Sequence, residues 1–188
     1  MSCCETGPVS PALDVGPGQF SGSPGRNYGG TTTGWVDESL APVKSSYAAA
    51  DYLSDLHDMF NSWPLAIAAY NSGEGKIMRG MKNYGVDNFW DMSDVGGHLA
   101  AETKLYVPSF LAATFIAKDP EAYVLTIDYQ QPDQCDEVVV PAPVSFSAAA
   151  KIARTSTARL NAPQPHLTKR TPPPNANTYV LRHPAVHT

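Results

Sequence analysis

Amide and phenol side chains stand close together in the middle of the chain, where they could form hydrogen bonds with a polar ligand. Tyr70 and Asn71 are adjacent, and Tyr106 follows in a second apolar run. An amide both donates and accepts hydrogen bonds, which suits the N-acetyl and hydroxyl groups of amino sugars, and a tyrosine adds a ring for packing. These residues and a second amide, Gln19, are therefore candidates for a binding site.

Each of these side chains also has an ordinary structural interpretation. Asn71 comes shortly before Gly73, and asparagine is common where a helix ends. Tyr70 and Tyr106 are equally compatible with core aromatics whose hydroxyls reach a nearby carbonyl, and Gln19 with a loop residue. Residue type alone leaves both interpretations open.

Several motifs in order connect these candidates with a known family. The glycine-rich segment Val9–Phe20 is followed by Ala68–Gly75, by Leu99–Pro108 and, near the end, by Thr171–Pro173. In this order they resemble the motifs of the lysozyme-like lytic transglycosylases, and among them the membrane-bound lytic murein transglycosylase D branch. The resemblance implies a bacterial enzyme that acts on the glycan strands of peptidoglycan.

The resemblance also implies a role for each candidate residue. Glu5 matches the family's single catalytic glutamate, while Gln19, Tyr70, Asn71 and Tyr106 match substrate-binding positions. Such an acid must stay protonated near neutral pH so that it can donate its proton to the glycosidic oxygen. Burial keeps it protonated because burial raises the pKa of a carboxyl group. The implied reaction cleaves the β-1,4 bond between N-acetylmuramic acid and N-acetylglucosamine. It forms a 1,6-anhydro sugar with neither a metal ion nor a cofactor.

The chain departs from the family pattern around its glutamate. Only four residues precede Glu5, whereas the family seats this residue at the end of a core helix, and Gly16–Pro17–Gly18 replaces an apolar wall. We therefore expect an incomplete N-terminus and weak or no turnover. The alternatives are a catalytically impaired remnant that binds peptidoglycan glycan strands, with Glu5 a solvated acid, and a plain helical interaction module.

Hydrophobic periodicity predicts helices through the middle of the chain. Lys44–Phe60 has apolar residues at three- and four-residue steps, and the nearly uniform apolar run Leu99–Lys118 predicts a helix buried on most sides, kinked or broken at Pro108. Further predicted helices lie at Pro64–Tyr70, ended by Gly73 and Gly75, and at Lys76–Lys82, ended near Gly85, while Asn88–Met92 is predicted to be either a turn or one helical turn. Glu102 in the first turn of the long helix suits the helix dipole, so we predict a structural role for it.

The character of the sequence changes after Tyr129. Two short helices, at Ser147–Ala153 and Thr155–Leu160, are predicted between two short strands, at Glu137–Val140 and Thr178–Arg182. The predicted fold is mainly α: a lysozyme-like helical domain lacking its first helices, with a small α+β C-terminal segment. We place the catalytic domain at residues 1–127 and the C-terminal segment at 128–188.

Composition excludes several other classes of function. The net charge of −5 without a basic stripe argues against nucleic-acid binding. No apolar run approaches the ~18 residues that would span a bilayer, so no transmembrane segment is predicted. Three cysteines and scattered histidines predict no metal site. The visible start shows no secretory signal, while the resemblance implies the periplasm or outer membrane. A monomer is expected.

Overall fold

The described part of the chain folds mainly into helices, which confirms the predicted fold class. A computed structural model describes residues 32–129, 135–142, 144–169, 171–174 and 177–184. Within them the helices are α1 (Pro42–Phe60), α2 (Trp63–Ser72), α3 (Glu74–Tyr84), α4 (Phe89–Asp94), α5 (Ala101–Lys118), α6 (Phe146–Ile152) and α7 (Thr157–Asn161). Strands β1 (Cys135–Pro141) and β2 (Thr178–Pro184) form a two-stranded antiparallel sheet, and short 3-10 turns lie at Glu38–Leu40 and Glu121–Tyr123.

The chain divides into two compact units. Of the described residues, those from 50 to 129 form the first, here called the helical unit, and those from 32 to 49 with those from 135 onward form the second, here called the tail unit. In the described part of the chain, residues 32–49 thus group with the C-terminal residues. The division of the sequence into a catalytic domain and a C-terminal segment stays a prediction.

Helix α2 is the centre of the helical unit. Its run Leu65–Ala69 is at most 1% exposed, and α3, α4 and α5 all pack against it. A helix that is apolar on every side is stable only when neighbours cover every side, and the alanines allow those neighbours to approach closely. The other buried apolar side chains of the unit are Tyr52, Leu56, Ile77, Phe89, Met92, Leu99 and Val107.

Local signals at Gly73, Gly85 and Asn88 set three helix boundaries close to the predicted positions. Gly73, with φ of 87°, separates α2 from α3, and Gly85, with φ of 65°, ends α3 in the left-handed conformation that glycine favours. The Asn88 side chain caps α4 by accepting a hydrogen bond from the Asp91 amide at 2.9 Å. The prediction that Gly75 also ends α2 is wrong, because Gly75 lies inside α3.

Helix α5 differs from its prediction in two respects. It continues through Pro108, so of the predicted kink or break the break does not occur, and among its residues only Thr103 and Val107 are buried. Leu105 and Phe115 are 69% and 59% exposed, so the prediction of burial on most sides is wrong. A run that is apolar throughout has no hydrophobic periodicity, so the sequence does not indicate which face of the helix is buried. In the structure the buried face packs against α2.

The tail unit has a small core of its own. Strand β1 pairs with β2 in the register Val138↔Leu181, and Leu181 is buried in a cluster with residues of α6 and α7. Gln164, 1% exposed, holds the second strand in place: its Nε2 donates to the carbonyl of Leu160, and its Oε1 accepts from the Arg182 amide at 2.8 Å. The predicted strands and short helices of this region are confirmed.

Candidate functional site

The five residues predicted from the sequence divide into two groups. Glu5 and Gln19 lie outside the described residues. Tyr70, Asn71 and Tyr106 all lie in the helical unit, the first two in the last turn of α2 and the third in the first half of α5. Their arrangement rests on the packing of α2 against α5.

A hydrogen bond between buried and half-buried side chains joins the two helices at this point. The Thr103 hydroxyl donates to Asn71 Oδ1 at 2.7 Å, although the two residues are 32 positions apart in the chain. Thr103 is only 2% exposed, whereas Asn71 is half-buried. The asparagine therefore ends a helix, as its structural interpretation predicted, and is also held from the side by α5.

Tyr106 lies on the same side of α5 as this contact. It follows Thr103 by three residues, and residues three apart are neighbours on one helix face. The side chain is half-buried, its ring centroid lies 6.2 Å from that of Phe110, and burial raises the pKa of its phenol above the ordinary value of 10.0. At neutral pH the hydroxyl therefore keeps its proton and can donate a hydrogen bond.

Tyr70 belongs to a second group of polar and aromatic residues at the other side of the α2 terminus. Its ring centroid lies 5.6 Å from that of Tyr52 in α1, and Tyr52, which is 6% exposed, donates its hydroxyl proton to Glu74 Oε2 at 2.8 Å. Glu74 begins α3, directly after the glycine turn. Residues from three helices thus meet around the Tyr70–Asn71 pair.

The sequence analysis did not identify Tyr52, Glu74 or Thr103 as part of this region. A signal existed for two of them, because Glu74 and Thr103 stand inside the two motifs that contain Asn71 and Tyr106. Tyr52 carried none, since a tyrosine on the apolar face of an amphipathic helix is indistinguishable from any other core aromatic.

His98, one of two histidines in the helical unit, has a structural environment. His98 Nε2 lies 3.0 Å from the carbonyl of Lys76, and its ring meets Tyr84 edge-on at 5.3 Å. The ring packs directly over Gly80, where an added Cβ would lie 2.5 Å from Nε2. In the described part of the chain no three histidine, cysteine or acidic side chains are grouped as metal ligands. None of the helices there is both long and apolar enough for a bilayer span.

Glu102 is the other acidic residue considered in the sequence analysis. It lies in the first turn of a helix, α5, as predicted, and is exposed. A carboxylate there interacts favourably with the amide groups that the first turn leaves unpaired. Its exposure is unlike the burial that a neutral proton donor requires.

Comparison with known proteins shows which family the chain resembles. The transglycosylase SLT domain matches residues 2–93, a range that includes Glu5, Gln19, Tyr70 and Asn71. Two relatives, both named membrane-bound lytic murein transglycosylase D and both from strains of Escherichia coli, are 33% identical to the chain over 158 residues. The match covers 81% of this chain and 34% of each relative, so the chain spans about a third of their length. The chain is therefore similar to the lytic transglycosylases that carry the SLT domain.

Proposed function

We propose that this protein is a peptidoglycan lytic transglycosylase that cleaves the β-1,4 bond between N-acetylmuramic acid and N-acetylglucosamine. The observation that carries the proposal is the contact of Asn71 with α5 through Thr103, beside Tyr106. It brings together two motifs that are distant in the sequence and that the resemblance assigns to substrate binding. The family match over residues 2–93 supports the same reaction.

In the proposed reaction Glu5 acts first as an acid and then as a base. Its carboxyl proton passes to the glycosidic oxygen as the bond to C1 of N-acetylmuramic acid breaks. The substrate's own N-acetyl group stabilises the positive charge at C1, as in other substrate-assisted glycosidases. The sugar's 6-hydroxyl then attacks C1 and returns a proton to Glu5, giving the 1,6-anhydro product without consuming water.

Four residues are proposed to hold the glycan strand beside this acid. Gln19 and Asn71 supply amide hydrogen bonds, and Tyr70 and Tyr106 supply ring surface and hydroxyls. The raised pKa of the Tyr106 phenol supports a donor role. The partner is the peptidoglycan strand and no cofactor takes part. We place the protein in the periplasm or at the outer membrane, as the words "membrane-bound" in the relatives' name suggest.

Digestion of purified sacculi tests the proposal. The full chain is incubated with sacculi, and soluble products are analysed by mass spectrometry, in which a 1,6-anhydro muropeptide is lighter than the hydrolysis product by one water. We expect weak release of anhydro products at most, because the sequence departs from the family pattern around Glu5, and we expect any release to fall to background in Glu5→Gln, since the variant lacks the proton donor. We expect Asn71→Ala to reduce the release of soluble products. The matched control is Asn83→Ala, at an exposed position of α3, which we expect to leave the release unchanged.

The outcomes separate the functions that the sequence left open. Anhydro products that persist in Glu5→Gln would refute the assignment of the acid. Sacculi that sediment the protein without any anhydro product would favour a glycan-binding remnant over an enzyme. Neither binding nor product would favour a helical interaction module.

A further inference from the structure

The hydroxyl of Thr103 is used differently from three other serine and threonine hydroxyls in the helices of the helical unit. Ser72, Ser93 and Thr114 each donate to the carbonyl four residues earlier in their own helix, at 2.8 to 2.9 Å. Thr103 instead donates out of α5, to the side chain of Asn71 on α2. Hydroxyls commonly bond back to their own helix, so a buried threonine that bonds across to another helix fixes the group it meets.

The group it fixes is one end of an amide. A threonine hydroxyl has a single proton, and here that proton is committed to Asn71 Oδ1 at 2.7 Å. The amide oxygen is therefore the end held against buried Thr103, and Nδ2 is the end turned away from it. In the described part of the chain no acceptor takes the Nδ2 protons. An asparagine held in this way offers a ligand two N–H donors.

We infer that Thr103 is a positioning residue which turns the Asn71 amide so that it donates to the acetamido carbonyl of the bound glycan. The inference rests on the proposed function and names the substrate group that Asn71 recognises. A sugar hydroxyl can also accept a hydrogen bond, but an amide carbonyl oxygen is the stronger acceptor and extends farther from the sugar ring. A fixed N–H donor thus favours an N-acetylated sugar over one that carries a hydroxyl at the same carbon.

Asn71→Asp separates this inference from a general role in folding. The aspartate keeps an oxygen for the Thr103 hydroxyl, so the bond between α2 and α5 is retained. At the other end it replaces a donor with an acceptor, which faces the acetamido carbonyl with no proton between them. A site built around one hydrogen bond strongly rejects a partner that cannot complete it.

Two neutral tetrasaccharides serve as probes: chitotetraose, which carries acetamido groups, and cellotetraose, which carries hydroxyls instead. Affinity is measured by titration calorimetry with the full chain in a Glu5→Gln background, so that the probe is not cleaved. The readout is the ratio of the two affinities, which a loss of fold or stability alone would not change.

We expect the unaltered Asn71 site to favour chitotetraose, and Asn71→Asp to reduce that preference about tenfold or more. Thr103→Val, which has the same shape without the donor, lets the amide turn and should reduce the preference about threefold or more, while Thr103→Ser should restore it. Thr114→Val is the matched control on the same helix and should leave the ratio unchanged.

The results that would overturn the inference are distinct from those that would overturn the proposed function. An unchanged ratio in both Asn71→Asp and Thr103→Val, with the helical circular dichroism intact, would overturn the inference alone. If Thr103→Val does not fold, the Asn71→Asp ratio decides by itself. A chain that binds neither sacculi nor chitotetraose would overturn the proposed function together with the inference.

Discussion

Gly80 is the position at which the packing of the helical unit makes the sharpest quantitative prediction. A Cβ at this residue of α3 would lie 2.5 Å from His98 Nε2 and 3.0 Å from the terminal methyl carbon of Met92. Ordinary contact begins at 3.4 Å, so the imidazole must retreat by about 0.9 Å. The same nitrogen lies 3.0 Å from the Lys76 carbonyl, and that interaction would be lost or lengthened.

The expected effect of Gly80→Ala is a net destabilisation. Alanine gains about 1 kcal/mol of helix propensity over glycine. Overpacking costs about 1–3 kcal/mol and the lost hydrogen bond about 1 kcal/mol, so the free energy of unfolding should fall by about 1–3 kcal/mol. For a unit of this size that corresponds to a fall in Tm on the order of 10 °C.

Thermal and urea unfolding followed by circular dichroism would measure this change. Gly75→Ala is the matched control in the same helix, because there the Cβ would meet only an Arg79 side-chain nitrogen at 3.4 Å. We expect Gly75→Ala to be neutral or to stabilise by up to about 1 kcal/mol. An equal or greater stability of Gly80→Ala, relative to the unaltered protein, would refute the packing argument. Rescue of Gly80→Ala by His98→Ala would support it.

Two further predictions concern the tail unit. Gln164→Leu leaves the Arg182 amide and the Leu160 carbonyl without their buried hydrogen-bond partner. The variant should therefore destabilise the tail unit by about 2–4 kcal/mol, measured as faster amide hydrogen exchange in β2. Unchanged exchange would contradict this prediction. Burial lowers the pKa of His166 below 6.5, with a smaller contribution from Lys44. The unfolded chain then binds more protons, so tail-unit stability should be complete above about pH 6.5 and decrease as the pH falls below it. Hydrogen exchange at pH 7.5 and pH 5.5, corrected for intrinsic rates, should show this loss, and His166→Gln should reduce it; an equal loss in both would refute the assignment.

The helices could be predicted because their signals are local. The apolar spacing of Lys44–Phe60 and the glycines at 73 and 85 act over three or four residues, which is the range of helix periodicity and capping. Tyr70, Asn71 and Tyr106 could be proposed as a site because they stand in motifs that resemble a family. The roles of Glu5 and Gln19, which lie outside the described residues, remain predictions on the same basis.

The sequence by itself determined which segments of the middle of the chain are helical, and its motifs predicted which side chains could bind a sugar. Only the tertiary structure decided which face of α5 is covered, and that Thr103 and Asn71, 32 residues apart, share a hydrogen bond. It also decided that Gln164 holds β2 and that His98 lies over Gly80. The physical reason is that propensity and capping are short-range effects, whereas burial and buried hydrogen bonds depend on which surfaces meet when distant segments pack.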